Sequence, residues 1–74
     1  MSQVQTTKLS VSGMTCGHCA GSVTEELEGL PGVRSVRVEL EPGATSAVFV
    51  DSEGPLDLPG AKAAVAEAGY TVVG

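Results

Sequence analysis

Between Val4 and Val73 the spacing of apolar residues alternates between two and three-to-four, and a glycine or proline marks most of the changes, so few folds are open to the chain. From Val4 to Val11 the residues are β-branched or alternate with polar ones, and Leu9 and Val11 share a face. That is a half-buried strand, ended by Gly13. From about Gly17 to Glu28, Ala20, Val23, Leu27 and Leu30 form one helical stripe, and Glu25, Glu26 and Glu28 occupy the other side. Gly29, Pro31 and Gly32 close that helix.

Val36, Val38 and Leu40 then alternate with charged residues, and Pro42-Gly43 turns the chain into a second β-rich run from Thr45 to Val50. In that run Thr45, Ala47 and Phe49 share one face and Ser46, Val48 and Val50 the other. Pattern alone leaves the inward face open, and the bulk of Phe49 places it inside. A polar loop is expected over Asp51 to Asp57. A helix follows with Pro59 in its first turn and Leu58, Ala61, Val65 and Ala68 as its stripe. Gly69 suits the left-handed position past the helix end, and Tyr70 to Val73 is a closing strand. The order βαββαβ predicts an α+β domain, a four-stranded antiparallel sheet with two helices on one face.

The chain has 74 residues, which suits one domain spanning 1–74 and no more. Phe49 and Tyr70 are its only aromatic residues, so Val, Leu and Ala must build the core. Four Lys and Arg against nine Asp and Glu give a net charge of −5, and the basic residues form no run. Nucleic acid, which demands a basic surface, is excluded as a partner, and a basic protein surface is favoured. The polar N-terminal stretch has no apolar signal-peptide core, and no run of about eighteen apolar residues occurs. Direct membrane insertion is not expected, and a cytoplasmic location is.

The chemistry lies in GMTCGHC, residues 13–19, where the first strand passes into the first helix. Cys16 and Cys19, at i and i+3, aim two sulfurs at one point. The helix N-terminus favours thiolate over thiol, and thiolate is the form that binds metal. Structural zinc asks for four ligands, and the chain offers two thiols and His18. Two soft thiolates suit Cu(I), with Hg(II) fitting on the same grounds, and the loop holds no carboxylate that would favour a harder ion. A rival reading is redox, because CGHC also serves thiol-disulfide oxidoreductases, but no Trp precedes the motif and the chain is short for that fold.

GMTCGHC after the first strand, with AGY at residues 68–70 before the last, resembles the heavy-metal-associated domain family, and within it the bacterial copper chaperones. The resemblance runs from about Lys8 to Val73. It implies a ferredoxin-like fold, Cu(I) on Cys16 and Cys19, and delivery to the metal-binding domain of a copper-transporting P-type ATPase. A copper-responsive regulator is a further partner it admits. It implies no enzymatic turnover, and a monomer without copper that copper could bridge into a dimer. A start at Met1 and an end just past Tyr70 suggest a free-standing carrier rather than a mercury- or zinc-binding domain cut from a pump. Within the site, Cys16 is assigned the entry and exit of the ion and Cys19 its anchorage. Met14 is read as a core plug supporting the loop rather than a thioether ligand, and His18 as an exposed spacer with an auxiliary-ligand reading beside it. Tyr70 is read as a packing residue whose phenol covers the site.

Overall fold

The computed structural model describes residues 4–14, 17–41 and 45–73. The elements are β1 (Val4–Ser12), α1 (Gly17–Glu28), β2 (Val33–Glu39), β3 (Ser46–Glu53), α2 (Leu58–Glu67) and β4 (Thr71–Val72). They form one antiparallel sheet in the order β2-β3-β1-β4. Leu9 and Val11 of β1 and Val48 and Val50 of β3 share a single apolar cluster with Val23 and Leu27 of α1 and Ala61 and Val65 of α2. Both helices therefore cover the same sheet face, the ferredoxin-like sandwich expected from the element order.

β3 presents Val48 and Val50 to the core, and Phe49 points the other way, against the expectation that the aromatic ring would be buried. Register decides this. Leu9 pairs with Val48 and Val11 with Ser46, and residues opposite one another in a ladder share a face. Because β1 has only Leu9 and Val11 to offer the helices, β3 must continue their layer with Ser46, Val48 and Val50. Phe49 then lies on the outer face between Lys8 and Arg37, its partners on β1 and β2.

Two boundaries and one stripe position also differ from the sequence reading. β3 runs on to Glu53, taking in residues assigned to the polar loop, because Asp51 accepts hydrogen bonds from Thr6 Oγ1 at 2.6 Å and Ser35 Oγ at 2.8 Å across both flanking strands. β2 begins at Val33, just before a bulge between Val33 and Ser35. Leu58 is 46% exposed, since the buried stripe of α2 is Ala61, Ala64 and Val65 and Leu58 precedes it at the helix start. The Pro42-Gly43 turn lies outside the described residues.

α2 ends as its sequence predicts. Gly69 has φ of 95°, its N–H donates to the Ala66 carbonyl at 2.9 Å, and the Tyr70 N–H donates to the Val65 carbonyl at 3.1 Å. This pair of bonds is a Schellman closure, which a left-handed glycine makes possible. It throws the chain back into β4, where Val72 pairs with Val11 and Thr71 with Ser12.

Candidate metal centre

The end of β1 and the start of α1 are brought to one end of the domain. Gly13 follows β1 directly and has φ of 93°, a conformation that a side chain would strain. Met14 is 1% exposed and belongs to the core cluster. This is the plug expected, and a sulfur so buried is poorly placed to be a ligand. The loop is thus pinned by an apolar anchor just before the motif's first thiol.

Cys19 lies in the first turn of α1, half-buried and packed against the core. The first four N–H groups of a helix lack intrahelical carbonyl partners and carry the positive end of its dipole. α1 has no acidic residue in its first turn, so no side-chain carboxylate competes for that field. An anionic sulfur there is favoured, the form in which cysteine holds a metal. Cys16 and Thr15 lie outside the described residues, so the pairing of Cys16 with Cys19 is carried by the sequence spacing. Among the described residues no three His, Cys, Asp or Glu side chains come together to hold an ion.

His18 is exposed, as a spacer would be, and with Gly17, Gly21, Ser22 and Glu25 it lines a shallow depression on the outer side of α1. Tyr70 is half-buried at the root of the loop: a Cβ built on Gly13 would lie 3.5 Å from Tyr70 Cδ1. The closeness of these two residues, far apart in sequence, is not recorded in the local pattern. The signal that could have found it is the sheet order, which sets β4 beside the last two residues of β1. Ser12 Oγ donates to the Thr71 carbonyl at 3.4 Å, a further tie at that edge.

Glu25, Glu26 and Glu28 are exposed on α1, and the outer face of the sheet carries Lys8 and Arg37 together with Asp51 and the Arg34–Glu53 pair. Of the described helices, none is long and apolar enough to cross a membrane.

Residues 8–71 match the model of the heavy-metal-associated domain. The chain belongs to that family. It is 40% identical over 65 residues to the copper chaperone CopZ of Staphylococcus aureus (strain bovine RF122 / ET3-1), an alignment covering 88% of this chain and 93% of that one. It is also 43% identical over 56 residues to a mercuric reductase of Acidithiobacillus ferrooxidans, covering 76% of this chain but only 10% of that enzyme. Among solved structures, a CopZ metallochaperone superposes with a TM-score of 0.80 at 36% identity, covering 93% of this chain and all 100% of the other. The water-soluble region of the P-type ATPase CopA from Bacillus subtilis superposes with a TM-score of 0.75 at 30% identity, covering 99% of this chain and 47% of that region.

Proposed function

We propose that this domain is a cytoplasmic carrier of Cu(I), which it holds between the thiolates of Cys16 and Cys19 and passes to the metal-binding domain of a copper-transporting P-type ATPase. The observation that carries the reading is the position of Cys19, on the first turn of a helix with no acidic residue in that turn and next to a loop anchored by buried Met14. Such a site supplies two soft anionic donors and no hard one. That set suits a monovalent soft ion and leaves room for an incoming ligand.

Loading releases the thiol protons, because only thiolate binds. Transfer then needs no change of oxidation state. A thiolate of the partner forms a new sulfur–copper bond, and a bond to Cys16 or Cys19 breaks afterwards. Cys19, held by α1 and the core, is the slower to leave, and Cys16 the quicker. Likeness to part of a P-type ATPase's soluble region supports that partner, since donor and acceptor would then share a fold. No covalent turnover of a substrate is involved.

Hg(II) is the second reading, favoured by the likeness to a stretch of mercuric reductase. The alignment with a copper chaperone along nearly its whole length weighs more. Competition titration under reducing conditions tests the choice. One Cu(I) per chain should bind tightly, Zn(II) in excess should leave it in place, and Cys16→Ser and Cys19→Ser should each abolish tight binding while the fold survives. Displacement of Cu(I) by Zn(II), or wild-type affinity in both variants, would overturn the proposal.

A further inference from the structure

The geometry points to the open half of β1 as a self-association edge, where a second copy of this chain pairs antiparallel with it and extends the sheet without any metal. The Val73 N–H donates to the Ser10 carbonyl at 2.7 Å, so the main-chain groups of Ser10 face the β4 side. Facing alternates along a strand, and those of Val4, Thr6 and Lys8 therefore point the same way. β4 pairs with Val11 and Ser12 and reaches no further along β1 than the bond to Ser10. Among the described residues nothing meets the N–H and C=O groups of Val4, Thr6 and Lys8 on that side.

The sheet's two edges are unlike. β2 is interrupted by the bulge between Val33 and Ser35 and carries Arg34, Arg37 and Glu39, exposed charges that discourage pairing. The open half of β1 is regular, paired with β3 residue by residue from Val4 onwards, and Lys8 is its one charge. Val4 leaves 50% of its surface in water there.

Charge selects a second copy as the occupant, and in the antiparallel sense. Val4, Thr6 and Lys8 share the outer face; Lys8 stands at one end of the open stretch, and Glu53 flanks Val4 at the other. A two-fold axis through Thr6 sets Val4 against the second copy's Lys8, Thr6 against Thr6 and Lys8 against Val4, with both main-chain bonds exchanged in each pair. No like charges then oppose one another. Each Lys8 stem lies over the other copy's exposed Val4, and its ammonium reaches towards Glu53, beside the Arg34 guanidinium that holds Oε1. Sliding the axis one residue towards Lys8 would drive the second copy's strand into Val73, which fixes the register. Because β1 ends at Ser12, the two metal loops would lie about 40 Å apart, at opposite ends of the joint sheet. Such a pair is distinct from a copper-bridged dimer, and the monomer expected without copper then holds only in dilute solution. A ladder this short buries far less than the roughly 1,200 Å² of a standard interface, so half-association is expected near about 1 mM.

Dilution of the reduced, metal-free protein from about 2 mM to about 0.05 mM, followed by amide resonances and sedimentation, tests this. The amides of Val4, Thr6 and Lys8 should shift as dimer gives way to monomer. Thr6→Pro removes an N–H that β3 does not use and should abolish association, whereas Thr6→Val, which also loses the hydroxyl bond to Asp51 but keeps the N–H, should retain it. Lys8→Glu should weaken the dimer about tenfold, and Lys8→Glu combined with Glu53→Lys should restore it. If Thr6→Pro failed to fold, this exchange of charges decides by itself. A monomer throughout the range would overturn the proposal, as would undiminished association in Thr6→Pro or a charge exchange that restores nothing. Shifts confined to α1 and the metal loop, the mark of copies joined there instead, would overturn it too.

Discussion

The guanidinium carbon of Arg37 lies 4.8 Å from the centroid of the Phe49 ring, on the face of the sheet turned away from the helices. A cation at that distance is drawn to the ring's negative face, and the arginine stem shields apolar surface that the core has left outside. The chain's one Phe is thus covered by a neighbouring strand.

The two faces of β3 should therefore respond very differently to truncation. Arg37→Ala removes an exposed cation–π contact and should cost about 0.5–1 kcal/mol. Val48→Ala, at a position with no exposed surface, should cost about 2–3 kcal/mol through lost transfer energy and the cavity left behind. Urea midpoints at constant slope compare the two. Equal losses would mean that Phe49, not Val48, carries the core.

Acid should weaken the sheet through Asp51. Hydrogen bonds from Thr6 and Ser35 hold its carboxyl below the ordinary value of 3.8; desolvation opposes them, and the Arg37 charge adds a smaller lowering. A group with a depressed folded value stabilises above its unfolded value and loses that contribution as pH falls through the folded one. The loss should thus appear below about pH 4. Asp51→Asn keeps an acceptor oxygen but does not titrate there, so its urea midpoint should fall less steeply than the wild type's between about pH 5 and about pH 2.5. Parallel acid limbs in the two proteins would contradict this.

Gly21 lies in the middle of α1, and a Cβ built on it would meet nothing within 4 Å. Neither a close approach nor a positive φ asks for glycine there. Gly21→Ala should then stabilise the domain by about 0.5–1 kcal/mol through helix propensity alone. For a domain of this size the melting temperature should rise by about 4–8 °C per kcal/mol, which thermal unfolding followed by circular dichroism reads directly. A lower melting temperature would show a steric demand at Gly21 that the structure does not contain.

The sequence by itself determined the order of the six elements, the stripes of both helices through Val23, Leu27, Ala61 and Val65, and the end of α2 at Gly69. These are legible because they follow from contacts and torsions within a few residues: a repeat of three to four, a proline in a first turn, a glycine where φ turns positive. The same local logic marked Met14 as a plug and Cys19 as a residue of a helix's first turn. Only the tertiary structure decided which face of β3 is inward, because both faces carry apolar residues and the choice is made by pairing with Leu9 and Val11 from the other half of the chain. It alone also brought Tyr70 close to Gly13 and gave Asp51 its two donors. Such contacts join residues far apart along the chain, and no local period records them; they exist once the sheet order β2-β3-β1-β4 has laid first, third and last strands side by side.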